Sequence, residues 1–319
     1  MSLKVFLEVV EIRTKLASLF PFVVGVLFSI TYFHQFSLMH TLLFFVGMIV
    51  FDMATTAINN YMDYQKAKSE TYKYKQNIIG RSGISPTLVR NMIFGMIGFA
   101  AVIGVTLAVQ TGWMLLIMGG ICCLIGIFYT FGPVPLSRMP LGEIFSGITM
   151  GLGIFAIVVY LNTTEHPPFY LAVDFDKGTF SLDGNFWQVL AIVWASLPLV
   201  LTIANIMLAN NLRDLDTDIE NHRYTLVYYI GRKQGALLFQ LLMLSCYAVI
   251  LLGFVFGIFH WPILIVLAAF PKIRKNLLQF RKELPEPKSF RHSINNLIIF
   301  NGSYILGLLL TIILEKIQS

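Results

Sequence analysis

Two stretches of the chain share the pattern N-N-x-x-D. They are Asn59-Asn60-Tyr61-Met62-Asp63 and Asn210-Asn211-Leu212-Arg213-Asp214, and the second continues to Asp216 and Asp218. Each closes a long apolar run. Carboxylates are costly beside hydrocarbon, so a cluster at the mouth of such a run is a functional candidate. On a helix Asp214 and Asp218 lie one turn apart and share a face, as do Asn59 and Asp63. Asn210 or Asn211 extends the second face by another turn. Two such faces meeting across a cavity would offer several hard oxygen ligands without His or Cys, a set that suits Mg2+ or Ca2+ rather than zinc. Mg2+ takes one or two carboxylates, keeps water and is completed by phosphate oxygens, which is the arrangement for holding a diphosphate.

Other readings of the acids are weaker. Asp214, Asp216 and Asp218 mimic the first ligands of an EF-hand loop, but Ile219 stands at the turn-glycine position and Thr225 at the twelfth. A merely solvated helix end is the plainer alternative, although acids favour helix N-termini over C-termini. Basic residues nearby would suit a phosphate. Arg offers a planar fork and Lys a point charge, which makes Arg81, Arg213 and Arg223, with Lys66 and Lys68, the candidates. Arg81 and Arg223 rank before Lys73, Lys75 and the lysines of 272–288. Asp52 lies two turns inside the second apolar run, nearly on the face of Asn59. It could bind a polar aromatic acceptor or take a proton, or it could be a structural group bonded to Thr55, Thr56 or a neighbouring helix.

The elements that must position these residues are membrane spans. The chain has 319 residues, of which 56% are hydrophobic and 13% charged, against about 25% charged in a soluble domain. A span needs about 20 mostly apolar residues. Nine such stretches occur, near 15–34, 38–61, 87–109, 112–130, 143–161, 188–208, 236–259, 261–280 and 292–314, the eighth interrupted by Pro271 and Lys272. Their length and uniform apolarity exclude barrel strands. Numbering the loops from the N-terminus places 21 of the 23 Lys and Arg on one side and only Lys177 and Lys316 on the other. By the positive-inside rule the N-terminus and the motif loops are expected in the cytoplasm and the C-terminus outside. The same distribution argues against nucleic acid as a partner for the net charge of +6. Cys122, Cys123 and Cys246 all fall inside spans and read as small buried side chains. The six histidines sit at span ends, and only His222 lies in the second motif. The first span lacks an A-x-A site and reads as a retained anchor. The expectation is therefore a single all-α membrane domain over residues 1–319, with a solvated loop at 162–187. The two motifs lie four spans apart and exit on the same side, as a parallel duplication of a four-helix unit with a ninth helix appended would place them.

With these residues in hand, the chain resembles the UbiA superfamily of intramembrane aromatic prenyltransferases. Within it the chain is most similar to the 1,4-dihydroxy-2-naphthoate polyprenyltransferases of menaquinone synthesis. The second motif resembles N-N-x-R-D-x-x-x-D-x-x-x-G-K-x-T-L through Asn210, Asn211, Arg213, Asp214, Asp218, Thr225 and Leu226. Gly80-Arg81-Ser82-Gly83-Ile84-Ser85-Pro86 resembles the G-x-I-S-P loop, and Tyr129 to Pro133 followed by Leu141-Gly142-Glu143 resembles Y-T-x-G-P…L-G-E. Four positions depart from the pattern. Asn60 stands where Asp is usual, Ala67 where a later acid belongs (Glu70 is nearest), and His222-Arg223 where Gly-Lys is usual. The resemblance implies nine transmembrane helices around a central cavity. It implies Mg2+ held by Asn59, Asp63, Asp214 and Asp218, and a polyprenyl diphosphate gripped with help from Asn60, Asn210, Asn211, Arg81, Arg213, Arg223 and Lys66. Asp63, Asp214 and Asp218 are then the catalytic acids, with Asp52 on the acceptor side. The aromatic acceptor would attack the allylic carbon and, if it is the naphthoate, lose its carboxylate as carbon dioxide. The alternatives are the same fold with another acceptor, such as 4-hydroxybenzoate or haem, or a secondary transporter with an intramembrane ion site. The D-G-x-x-A-R signature of a CDP-alcohol phosphotransferase is absent.

Overall fold

The computed structural model describes residues 1–67, 69–129, 131 and 135–318, with Arg13 lacking a described side chain. Lys68, one of the expected phosphate cations, and Thr130, Gly132 and Pro133 of the third motif lie outside the described residues. The order is α1 (Leu3–Val9), α2 (Leu16–Tyr32), α3 (Leu38–Lys66), α4 (Ile78–Arg81), α5 (Pro86–Thr111), α6 (Trp113–Phe128) and α7 (Gly142–Ser146). A π turn, Gly147–Gly153, carries α7 into α8 (Ile154–Asn162). A hairpin of β1 (Phe169–Asp174) and β2 (Thr179–Gly184) leads to α9 (Phe186–Glu220), α10 (Leu226–Val255), α11 (Phe270–Glu283) and α12 (Phe290–Gln318).

Among the described residues six stretches of helix are long and apolar enough to cross a membrane: Leu38–Lys66, Pro86–Thr111, Gly142–Asn162, Phe186–Glu220, Leu226–Val255 and Pro287–Gln318. Leu16–Tyr32 and Trp113–Phe128 are shorter apolar helices. The eighth expected stretch is not one apolar helix. Trp261–Ala269 forms a 3-10 segment and α11 follows it. Pro262 and Pro271, which lack an N–H, stand at the first turns of the two pieces. The cations at 272, 274, 275, 281 and 282 then make α11 two-faced.

The loop expected at 162–187 is also corrected, because most of it is a β-hairpin with Phe169 opposite Gly184 and Asp174 opposite Thr179. Four residues join the strands, and Gly178 at φ +62° supplies the left-handed turn position. The alternation in F-Y-L-A-V-D and T-F-S-L-D-G was the available signal.

The core gathers around α9. Val24 and Phe28 of α2, Phe155 of α8, Phe239 and Met243 of α10, and Phe300 and Tyr304 of α12 pack with Ala195, Leu199 and Leu208 in one buried cluster. The π turn approaches α9 most closely. A Cβ on Gly147 would stand 2.7 Å from the Val200 carbonyl, and one on Gly151 would stand 2.5 Å from the Val200 nitrogen. Glycines four apart thus let two backbones touch. Gly151→Val is expected to destabilise the folded protein by roughly 1–3 kcal/mol through overpacking. Thermal unfolding in detergent checks this, and an unchanged midpoint would reject the close-contact account.

Candidate active site

Both acidic motifs lie where expected, at the same-side ends of α3 and α9. Beyond α9 the chain turns back sharply. The Arg223 amide donates to the Asp218 carbonyl at 2.8 Å, and the Tyr224 amide donates to the Arg138 carbonyl at 3.1 Å. The turn needs a left-handed residue, and His222 fills it at φ +55°. This is the position where the resemblance expects Gly. His is among the non-glycine types that tolerate this conformation best. The turn brings Nη1 of Arg223 to 3.5 Å from Oδ1 of Asp218, whose side chain is buried.

Arg223 does more than pair with Asp218. Asp63 lies in the electric field of Arg223, Arg138 and Lys66, and Asp218 in that of Arg223, Asp214, Arg213 and Arg138. The two acids, from the two halves of the chain, therefore share two arginines. Partial burial, and after it the charge of Asp63, push the Tyr72 phenol above its ordinary value. Tyr72, Arg138 and Glu143 are residues to which sequence reasoning gave no role. Glu143 at the start of α7 is buried, and its Oε1 accepts from Nδ2 of Asn211 at 2.8 Å. Its charge and that of Arg223 reach the Tyr129 hydroxyl.

Among the described residues, the buried side-chain polar atoms left without a hydrogen-bond partner include Oδ2 of Asp218 and Nε of Arg223 at this ion pair, Oε2 of Glu143 beside Asn211, and Oγ1 of Thr225 at the cap of α10. Buried polar atoms are nearly always paired, so unpaired ones on residues of the acidic motif mark a place that a polar ligand would complete. The set mixes anionic acceptors with a cationic donor. It therefore fits a cation together with an anion.

The remaining expected residues divide. Arg213 lies against Asp214 as a two-pronged pair, Nε to Oδ1 at 2.6 Å and Nη2 to Oδ2 at 2.5 Å. It also donates to Oδ1 of Asn210 at 2.7 Å and stacks 4.8 Å over the Phe290 ring. Asp216 is exposed and takes Arg232 at 3.1 Å instead. Asn59 stays on the Asp63 face, its side chain without a hydrogen bond to a described residue, and Lys66 is exposed at the end of α3.

Asn60 is a correction. Its amide donates to the Val9 carbonyl at 2.9 Å and to Glu11 at 3.2 Å, tying α3 to the N-terminal segment. Adjacent helix residues point about 100° apart, so Asn59 and Asn60 do not serve one cavity together. Arg81 pairs with Glu8 at 2.9 Å on the exposed surface. Its motif is a joint, with Gly83 left-handed, Ser85 at the helix cap and Pro86 opening α5. Asp52 is held as a structural group. Nζ of Lys15 donates to its Oδ1 at 2.7 Å, and Oγ of Ser18 donates to its Oδ2 at 2.6 Å. Thr55 and Thr56 bond only its carbonyl.

Among the described residues no three His, Cys, Asp or Glu side chains lie close enough to share one ion. Asp63, Asp214 and Asp218 thus do not form one three-acid cage, and Asp214 is paired with Arg213. The donors present are nonetheless hard oxygens on facing elements. One or two carboxylates per ion, completed by phosphate, is the habit of Mg2+, and the residues fit it.

The family model described as the UbiA prenyltransferase family matches residues 18–297. The chain belongs to the UbiA prenyltransferase family. A relative named 1,4-dihydroxy-2-naphthoate octaprenyltransferase, from Bacillus subtilis (strain 168), is 26% identical over 223 residues, covering 69% of this chain and 64% of the relative. One of the same name from Mycobacterium leprae (strain TN) is 27% identical over 158 residues, covering 46% and 45%. The chain thus spans less than two thirds of these curated relatives. Solved UbiA-type structures share the fold. A UbiA homolog from Aeropyrum pernix K1 superposes with a TM-score of 0.66 at 15% identity, covering 92% of this chain and 97% of the other. A homolog from Archaeoglobus fulgidus, bound to DMAPP and Mg2+, gives 0.61 at 12% identity, covering 94% and 98%. A digeranylgeranylglyceryl phosphate synthase gives 0.64 at 16% identity, covering 96% and 98%.

Proposed function

We propose that this UbiA-family protein transfers a polyprenyl group from its diphosphate to an aromatic acceptor, with 1,4-dihydroxy-2-naphthoate as the acceptor and menaquinone synthesis as the pathway. The observation that carries the reading is the Asp218–Arg223 pair, in which each side chain keeps one buried polar atom without a partner. The two acidic motifs share Arg223 and Arg138. The names of the two curated relatives support the naphthoate, and the DMAPP and Mg2+ held by the Archaeoglobus homolog support the donor class.

Asp63, Asp214 and Asp218, with Asn59, would hold Mg2+ at one or two carboxylates per ion, Asp214 joining once Arg213 turns to the phosphate. When bound, Mg2+ would neutralise the diphosphate and ease its departure. Arg223 and Arg138 add fixed positive charge on the same side, aimed where negative charge develops as the allylic carbon–oxygen bond breaks. Arg213 can leave Asp214 for a phosphate oxygen, since its planar fork suits either partner. Asn210 and Asn211 hold the second motif in shape, the one through Arg213 and the other through Glu143. Lys66 stands as a mobile charge at the rim. Asp52, fixed by Lys15, keeps α2 and α3 together beneath the site. The new carbon–carbon bond forms at the acceptor ring as diphosphate leaves, and the naphthoate releases carbon dioxide. The isoprenyl tail would lie along apolar helix faces in the bilayer. The chain is read as one membrane domain with its N-terminus and motif loops in the cytoplasm and its C-terminus outside.

A transfer assay tests this. Purified protein in detergent receives a labelled polyprenyl diphosphate with either the naphthoate or 4-hydroxybenzoate, before and after chelation of divalent cations. The expected result is product with the naphthoate alone, abolished by chelation and restored by Mg2+. Product with the benzoate alone would overturn the acceptor assignment, and product that survives chelation would overturn the metal role.

A further inference from the structure

α11 presents two faces. Ile273, Asn276, Leu277 and Phe280 are buried against the bundle. Lys272, Arg274, Lys275, Arg281 and Lys282 are exposed. None of these five cations makes an ion pair or side-chain hydrogen bond with a described residue. The helix's own acid, Glu283, is engaged elsewhere, 3.1 Å from Nε2 of His292. Three of the cations converge. A groove of about 420 Å3 is lined by Pro271, Arg274, Lys275, Leu278, Gln279 and Lys282. Its charged wall is thus all positive, and its remainder is mixed polar and apolar.

The depth of this groove follows from hydrogen bonds that tie neighbouring helices in register. Asn301 of α12 meets Thr202 of α9 at 3.2 Å, and Tyr304 meets the Ala195 carbonyl at 3.0 Å. α12 and α9 therefore run antiparallel at matched heights. Asn276 of α11 bonds Asn296 of α12 at 2.9 Å. Asn296 is five residues from Asn301, or roughly 8 Å along the helix toward the end that carries the acidic motifs. That height corresponds to the end of the apolar run of α9 near Leu208, where hydrocarbon gives way to headgroups. Arg274 and Lys275 flank Asn276 at this level. Leu267 and Phe270, which precede these cations in the chain, are exposed apolar side chains.

We propose that the α11 groove is a binding site for an anionic phospholipid, with the headgroup phosphate held by Arg274, Lys275 and Lys282 and the acyl chains lying along Leu267 and Phe270. Charge complementarity selects this occupant. The cations converge, lack acidic partners and stand at headgroup height, where each adds about 1 kcal/mol of attraction to anionic lipid. The site is separate from the acidic motifs, and the proposal stands or falls independently of the transfer reading.

Native mass spectrometry of the intact protein tests it. The protein is released from detergent containing equal phosphatidylglycerol and phosphatidylcholine, and the lipid retained is counted. The wild type is expected to retain phosphatidylglycerol in preference by at least about tenfold. Lys275→Gln should lower that preference about fivefold, and the triple change Arg274→Gln, Lys275→Gln, Lys282→Gln should bring it close to unity. A control triple at exposed cations elsewhere, Lys4→Gln, Lys75→Gln, Arg90→Gln, should leave it unchanged. An equal loss in the control would show general surface charge and overturn the site. So would the absence of any preference in the wild type. Displacement of the lipid by excess inorganic phosphate would overturn the lipid assignment in favour of a soluble anion.

Discussion

Asp218→Asn is expected to lower prenyl transfer by about a thousandfold or more while the protein stays folded. The change keeps the shape and removes the charge. In the folded chain Oδ2 of Asp218 is buried without a partner, while Oδ1 faces Arg223 at 3.5 Å. A buried carboxylate with one free oxygen beside three like-placed cations is costly as a purely structural feature. Its value is realised when a cation and a diphosphate complete the set, and losing one anchoring charge from such an assembly costs several kcal/mol of transition-state stabilisation. Initial rates at saturating donor, with a Mg2+ titration, would show the fall in kcat and a higher Mg2+ requirement. The isosteric change keeps the packing, so the protein is expected to stay folded although Arg223 loses its partner, and the thermal midpoint checks this. A variant within about tenfold of wild type would remove Asp218 from the chemistry, and an unfolded one would assign it to structure.

Arg223→Gln should cost about 100- to 1000-fold in kcat, the usual penalty for one preorganised donor at a developing negative charge. Its reach is the reason. Arg223 acts on Asp63 and on Asp218, and its Nε is buried with no partner. The left-handed His222 fixes where it points. Arg223→Lys should recover much of the loss, because a point charge keeps the field though it gives up the fork. Equal loss in the Lys and Gln variants would mean that the two-pronged geometry, and not the charge, is what the site uses. Unchanged rates in both would exclude Arg223 from diphosphate binding.

What was legible in the sequence follows from the kind of information each feature needs. The two acidic motifs were readable because helix periodicity alone puts Asn59 with Asp63 and Asp214 with Asp218. The placement of both motifs on one side followed from counting apolar runs. Glu143 was visible only as part of a quoted segment. Its partner Asn211 is 68 residues away, and no local rule joins them. Arg138 was one basic loop residue among many until the Tyr224 amide drew the two loops together. Asn60 follows Asn59 in the motif, but adjacency on a helix is not a shared face, and its amide is taken by Val9 and Glu11; Arg81, read as a loop cation, meets Glu8 of the same N-terminal segment. The eighth apolar run was a composition signal that Pro262, Pro271 and the cations of α11 overrode locally.

The Lys15–Asp52 pair bears on how the chain comes into being. The two side chains are only 7% and 16% exposed, and Ser18 and Thr56 complete their hydrogen bonds. Asp52 sits well inside α3, so α3 released alone into lipid would strand a bare charge in hydrocarbon. Held against the entry to α2, the charge is already neutralised. Biogenesis therefore favours an order of events in which the first two long helices leave the insertion machinery as a hairpin, with the pair formed at its base. The later helices then assemble on a unit that is electrically closed.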